Sequence, residues 1–247
     1  MKQQTDSTVE PFNHDVVRNR GYLYTTDARL SSQIANRRLS DATVAAADFC
    51  GKRIIDIGCG DGTYTIELFD RGKPSSICGV DPAQKAIDIA RQKAGGRNIA
   101  FEVQSAYELP YAANSFHVAH LRGVLHHLER PADALREALR VAPVLIVIEP
   151  NGYNPGVKLL ERFSRYHRDH EEKSYPPMCV DRWIGAQGGT VEYRKWVGLV
   201  PFFCPDWFAR AMKLIEPMIE RLPLVNAMMC AVYVVTAIRN PWAQSDS

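Results

Sequence analysis

One stretch constrains this chain more than any other: Arg53-Ile54-Ile55-Asp56-Ile57-Gly58-Cys59-Gly60-Asp61-Gly62. A β-branched apolar run carrying one acid, Asp56, stops at three glycines on alternate positions, Gly58, Gly60 and Gly62. Thr63 to Phe69 follow with apolar residues at helical spacing. Strand, glycine turn and helix, in that order, bring a nucleotide-type ligand against the edge of a parallel sheet. Glycine accepts positive φ and lets a ligand approach the backbone with no Cβ in the way. Two motifs are excluded by spacing. A dinucleotide fingerprint needs G-x-G-x-x-G, and Thr63 stands where the third glycine would fall. A P-loop needs a Gly-Lys-Ser/Thr ending, which is absent here. Taken alone, the turn also fits any α/β protein with a tight strand-to-helix junction.

The next 90 or so residues alternate strand and helix, which predicts a parallel sheet with crossover helices. Ser75–Asp81 is a strand ending in an acid, and Pro82 suits the first turn of a helix that runs to Gly95-Gly96. Asn98–Val103 and Phe116–Leu121 are further strands, Pro131–Val141 is helical, and Val144–Ile148 is wholly apolar and therefore buried on both faces. Asp81 lies at the carboxyl end of the strand expected beside the glycine turn. An acid there accepts hydrogen bonds from ribose hydroxyls, although Asp-Pro after a strand also reads as a helix N-cap. The glycine turn beside it tips the reading toward ribose.

With these residues in place, 53–149 resembles the class I S-adenosylmethionine-dependent methyltransferases, closest to the small-molecule branch that includes quinone-biosynthesis enzymes. The resemblance rests on Asp56-Ile57-Gly58-Cys59-Gly60-Asp61-Gly62, on Asp81, on the loop Ser105–Tyr111 with Asn114-Ser115-Phe116, and on Gly123-Val124-Leu125-His126-His127-Leu128. It implies a Rossmann-like, doubly wound α/β fold with a seven-stranded, mostly parallel sheet whose last strand is antiparallel. It also implies S-adenosylmethionine as cofactor, S-adenosylhomocysteine as product, and no metal. The Gly58/Gly60/Gly62 backbone, with Cys59, would cradle the methionine portion. Asp56 would lie near its amino group, Asp81 and Pro82 at the ribose, Ser105 and Ala106 at the adenine edge, and Leu121 and Arg122 on the sulfonium side. Three positions depart from the pattern: Ser105 replaces an acid, His117 replaces an Asp, and Arg140-Val141-Ala142-Pro143 shortens a Lys-Pro-Gly-Gly turn.

Methyl transfer from a sulfonium is an in-line displacement with a good leaving group, so alignment does most of the work, worth roughly 7–11 kcal/mol. A base matters only for a protonated nucleophile. His126, and after it His127, are candidates on intrinsic pKa. Glu149, closing the fifth strand, is a candidate base or substrate anchor. His120 reads as a satisfied core histidine. The run His167–Glu172 carries two histidines three apart, but its density of both charges predicts solvated surface rather than a metal site.

The regions outside 50–149 are less legible. Residues 1–49 are expected to form an N-terminal helical lid, with Tyr22, Tyr24 and Arg29 able to reach a bound carboxylate. Tyr24 is taken as a cofactor contact. Residues 150–189 form a substrate-side insertion with a helix over Val157–His167, a short helix over Asp181–Ala186, and Tyr166 or Tyr175 touching the acceptor. Residues 190–247 supply a strand over Thr190–Val200, a helix kinked or ended near Pro217, and a last strand over Val225–Ile238. The aromatic stretch Pro201–Phe208 reads as core, or as the wall of an apolar pocket or a membrane contact. All four regions read as one methyltransferase domain over 1–247.

At 247 residues the chain is long enough for one such domain. A formal net charge of +2 gives no footprint for nucleic acid, no apolar run is long enough to span a bilayer, and the polar N-terminus does not read as a signal peptide. Six scattered cysteines without a C-x-x-C pair point to a reducing cytoplasm. The acceptor is expected to be a small, partly apolar molecule, and a homodimer is a candidate assembly. Two other functions fit less well: a cofactor-binding regulator without turnover, and a nicotinamide-dependent oxidoreductase, which Thr63 argues against.

Overall fold

The computed structural model describes Val16, residues 21–163 and residues 173–240. Seven strands form one sheet: β1 (Arg53–Ile57), β2 (Ser76–Asp81), β3 (Ile99–Val103), β4 (Val118–Arg122), β5 (Val144–Pro150), β6 (Gly189–Val197) and β7 (Val232–Arg239). Their spatial order is β3-β2-β1-β4-β5-β7-β6, with β7 antiparallel to both its neighbours and the β1–β5 pairings parallel. The order reverses between β1 and β4, the switch point at whose carboxyl edge open α/β sheets bind ligands.

Both faces of the sheet are covered, as a parallel sheet requires. On one face, Ile55, Ile57, Leu121, Leu145 and Val147 pack against α5 (Pro131–Val141) and α7 (Pro177–Ala186). On the other, Ile54, Val118, Ile146 and Ile148 join Ala42 of α2 (Leu30–Ala46) and Leu68 of α3 (Thr63–Gly72). Helix α5 shows why these segments are helical. Pro131 stands at its first turn, Asp133 and Arg140 complement the two ends of its dipole, and Ala134, Leu135, Ala138 and Leu139 make one buried stripe. A short helix α1 (Leu23–Thr26), α4 (Gln84–Ala94), a 3-10 turn over Leu125–His127, α6 (Pro155–Phe163), α8 (Asp206–Ile219) and α9 (Val225–Met229) complete the described elements. Among the described residues, no helix is long and apolar enough to cross a membrane.

Several boundaries differ from those the sequence predicts. The run 225–238 is a helix followed by a strand, because an uninterrupted apolar stretch carries no periodicity that separates the two. The strand expected to reach Val200 ends at Val197, where Gly198 turns the chain at φ +81°. Helix α7 begins at Pro177, four residues before Asp181, with a proline at its first position. Pro217 sits inside α8, which continues to Ile219. Tyr166 and the His167–Glu172 run lie outside the described residues.

Gly62 closes the glycine turn at φ +75°, and a Cβ there would lie 2.8 Å from Ala90 Cβ and 2.8 Å from Phe101 Cζ. The left-handed conformation costs a side chain about 1–2 kcal/mol, and the collision with α4 adds about 1–3 kcal/mol. Gly62→Ala is therefore expected to lower stability by about 2–5 kcal/mol, read from the urea midpoint at unchanged slope.

Candidate active site

The three glycines of the β1–α3 turn all have positive φ, 75°, 53° and 75°. Asp81, at the end of β2, is buried, and its carboxylate spans two chain segments. Gly60 N–H donates to its Oδ2 (3.0 Å) and Ala83 N–H to its Oδ1 (2.9 Å). The N-cap-like bond to Ala83 and the bond to the glycine turn thus coexist. A carboxylate offers about four acceptor sites, so two amide bonds leave room for the two hydroxyls of a ribose. Burial pushes the Asp81 carboxyl up to about 6; the two amides oppose this and the nearby Asp56 and Asp61 add to it. The folded state therefore holds this proton more tightly than the unfolded chain. Asp81 favours the fold most at low pH, and that contribution is lost as pH rises through about 6.

Asp61, within the same turn, binds the N-terminal segment. Tyr22 N–H donates to its Oδ2 (3.2 Å), as does the Thr25 hydroxyl (2.7 Å), and Lys93 Nζ lies 2.9 Å from the same oxygen. Burial raises this carboxyl's pKa, but the Thr25 hydroxyl and Lys93 outweigh it and hold the group below the usual carboxylate range. The tether puts the Tyr22 ring directly over Gly60, where a Cβ would meet Tyr22 Cε2 at 2.7 Å. Tyr24 instead packs against Phe202 and Phe203, with ring centroids 5.3 and 5.5 Å away, and Arg29 stacks over Phe203. The ring over the turn is therefore Tyr22, one of the two tyrosines that the sequence singled out. Neither the Tyr22 position nor the Asp61 tether has a sequence signal, because both depend on a contact between segments some 40 residues apart.

Asp56 is buried with its oxygens engaged away from the turn. Thr65 donates its hydroxyl to Oδ2, and His120 Nδ1 lies 2.7 Å from Oδ1. A carboxylate only accepts, so His120 carries its proton on Nδ1. Its Nε2 is buried without a hydrogen-bond partner, so this histidine is half satisfied rather than fully satisfied as the sequence implied. The Arg122 guanidinium stacks 3.6 Å over the Tyr64 ring and donates to Ser40 Oγ (3.0 Å). Leu121 is sealed in the core. Cys59 is buried beside Phe101 and Ala90, and burial raises its thiol pKa well above the ordinary value. Ser105 turns its hydroxyl inward to accept Tyr107 N–H (3.2 Å), and Ala106 is buried next to it. Of the residues assigned to the donor, Gly58, Gly60, Gly62 and Asp81 are brought together with polar backbone or carboxylate atoms at one edge. Asp56, Cys59, Leu121 and Arg122 commit their side chains to the interior.

Glu149, at the end of β5, holds the loop after β4. Its Oε1 accepts Val124 N–H (2.7 Å) and Leu125 N–H (2.8 Å), and its Oε2 accepts His126 N–H (3.3 Å). His126 Nδ1 is 2.7 Å from the same Oε2, which fixes its proton on Nδ1 and directs Nε2 away from the carboxylate. The two candidate catalytic residues thus form one pair in which Glu149 orients and His126 is oriented. The Tyr175 hydroxyl pKa is raised by burial and by the neighbouring Glu149 and Tyr107, so these aromatic rings border the same pair. Tyr107 carries the Arg130 guanidinium 4.7 Å above its ring. Among the described residues, no group of three or more His, Cys, Asp or Glu side chains is arranged to hold a metal ion.

Residues 55–143, which contain the glycine turn and the β4 loop, match the family profile described as Methyltransferase domain. Over this segment the chain is similar to methyltransferase domains. The chain is 34% identical over 110 residues to an uncharacterized methyltransferase of Schizosaccharomyces pombe, covering 41% of this chain and 37% of that protein. It is 30% identical over 110 residues to the ubiquinone biosynthesis O-methyltransferase of Neisseria meningitidis, covering 43% of each. The chain therefore spans less than half the length of these curated relatives. The fold extends further. The magnesium protoporphyrin IX methyltransferase of Synechocystis, solved with S-adenosylhomocysteine bound, superposes with a TM-score of 0.64 at 16% identity over 95% of this chain and 97% of that one. The matched segment lies within residues 53–149, where the sequence resemblance is strongest.

Removing the Glu149 carboxylate leaves three buried amides and an imidazole without their acceptor, at about 1–3 kcal/mol for each buried group left unpaired. Glu149→Ala is expected to lower stability by about 4 kcal/mol or more in chemical denaturation. Glu149→Gln, which retains one carbonyl acceptor, should lose less than half of that.

Proposed function

We propose that this protein transfers a methyl group from S-adenosylmethionine to a small, partly apolar acceptor. The observation that carries the reading is the donor edge. Three positive-φ glycines shape the turn, and a buried carboxylate with acceptor capacity to spare is bonded to the middle one. A cradle closed to any Cβ, with an acceptor-only side chain beside it, fits a ribose diol and an amino-acid moiety. In this reading Asp81 and Pro82 border the ribose, Ser105 and Ala106 border the adenine through backbone groups, and Gly58–Gly62 hold the methionine portion. Asp56 then acts through the strand end it stabilises rather than by direct contact. When bound, the cofactor supplies an electrophilic methyl on a sulfonium with a neutral leaving group.

The chain's own contribution is alignment, exclusion of water and, for a protonated nucleophile, proton removal. Tyr22 covers the turn from the N-terminal side, with Asp61 as its anchor. His126 presents Nε2 as the proton acceptor, Glu149 keeps its tautomer, and Tyr107 and Tyr175 form the acceptor wall. All six cysteines are unbridged, which supports a reducing compartment. The names of the ubiquinone and protoporphyrin enzymes support a small acceptor of that general kind here. The first test is calorimetric titration with S-adenosylhomocysteine against NADH. The second is transfer of labelled methyl to small-molecule fractions of an extract. Tight S-adenosylhomocysteine binding without transfer to any fraction would favour a regulator instead.

An ionised Asp81 accepts hydroxyl protons and a neutral one does so poorly. S-adenosylhomocysteine affinity is therefore expected to fall as pH drops below about 6, by up to tenfold per pH unit. Asp81→Asn should flatten that dependence and weaken binding at pH 8 by about 10–100-fold, the value of charge-assisted hydrogen bonds. His126→Ala should lower kcat by about 10²–10⁴-fold, with S-adenosylhomocysteine affinity unchanged, in an assay with an acceptor that must lose a proton.

A further inference from the structure

The connection between β6 and β7 carries a surface that the donor site does not use. Helix α8 is fixed from its inner side. Arg38 of α2 donates Nε to Glu220 Oε1 (2.8 Å) and pairs with its other oxygen, while Leu199 N–H donates to buried Glu216 (3.0 Å). That leaves the opposite face outward, and it is apolar. Trp207, Ala211, Leu214 and Met218 recur at helical spacing on one stripe; Trp207 is 71% and Leu214 82% exposed. Leu224, just before α9, is also 82% exposed, and Met228 and Met229 of α9 are exposed as well. The Asn154 side chain donates to Met229 O (2.7 Å), so α9 abuts the start of α6, whose Leu159 and Leu160 are exposed as well. A soluble monomer rarely leaves so many large apolar side chains contiguous on one face.

The charges beside this stripe choose between occupants. Arg210 and Arg221 are exposed along α8 and just after it, Lys213 is paired with Glu216, and Asp206 is the exposed acid of 206–229, since Glu216 and Glu220 are buried in pairs with Lys213 and Arg38. A second copy docked through a two-fold contact would bring this same basic flank against itself. An apolar helix face with an aromatic residue at one end and bases alongside is the pattern of a helix lying in a lipid interface. Position supports the same occupant. Val232, the first residue of β7, pairs with Pro150 at the end of β5 and with Val197 at the end of β6. The whole connection therefore emerges at the carboxyl edge of the parallel strands, the edge that carries the glycine turn and Glu149.

We propose that the outer face of α8 and α9 docks this protein on a bilayer surface containing anionic lipid, with its ligand edge turned toward the lipid. Docking itself does not depend on methyl transfer; only the advantage of that orientation, access to an apolar acceptor, rests on the proposed function.

The test is co-sedimentation of the full chain with phosphatidylcholine vesicles, with and without phosphatidylglycerol. The protein should bind the anionic vesicles preferentially. Binding should weaken with salt, as the screening length shrinks from about 10 Å at 0.1 M to about 3 Å at 1 M. The double variant Leu214→Glu/Leu224→Glu should lose at least about tenfold in partitioning while keeping its thermal midpoint and its affinity for S-adenosylhomocysteine. Should that variant fail to fold, Arg210→Glu/Arg221→Glu, confined to exposed positions, must abolish the preference for phosphatidylglycerol. Absence of binding to anionic vesicles at low salt overturns the proposal, as does equal binding by the variants. A solution dimer that the leucine variant dissociates, with no vesicle binding by the parent, would assign the face to a second copy. Vesicle binding without any affinity for S-adenosylhomocysteine would overturn the proposed function and leave the docking surface standing.

Discussion

The arrangement at the donor edge depends on one buried carboxylate. Asp81 accepts from Gly60 on one side and Ala83 on the other, so the β1 turn and the start of α4 are held by a single group at the end of β2. Burying a charge is costly unless hydrogen bonds replace its hydration, and two amides replace it only incompletely. Burial therefore pushes its pKa up to about 6, with the nearby Asp56 and Asp61 adding to the rise. Its carboxylate keeps unfilled acceptor capacity beside the glycine turn.

Glu149 has the same structural role on the other side of the switch point. Its carboxylate collects the amides of Val124, Leu125 and His126 and orients the His126 ring. A group so fully engaged is poorly suited to take a proton from a substrate. Buried carboxylates at the ends of two strands thus position the donor turn and the acceptor loop, with the sheet between them as a rigid spacer. The N-terminal segment closes the same edge through Asp61, which is why Tyr22 rather than Tyr24 reaches the turn.

How much was legible follows from locality. The β1–β5 run, the helix over Pro131–Val141 and the glycine turn carry short-range signals: β-branched runs, a proline at a helix start, glycines at positive φ. The 225–238 run is illegible because its apolar residues are continuous, so period 2 and period 3.6 fit equally well. Exposure of Met228 and Met229 marks the helical half only once the fold is known. The motif puts Asp56 and Arg122 near the donor, yet their partners, His120, Thr65, Tyr64 and Ser40, come from β4, α3 and α2.

The sequence by itself determined that a strand, a glycine turn and a helix meet at one edge of a parallel sheet, and that an acid stands on the next strand. Those features are set by backbone conformations available only to particular residues at particular spacings. Only the tertiary structure decided which polar groups face the ligand edge and which neutralise one another inside. It also decided that the apolar stripe of α8 and α9 faces outward. Each of these outcomes depends on hydrogen-bond partners and packing surfaces that lie tens of residues away in the chain, where spacing along the sequence carries no information.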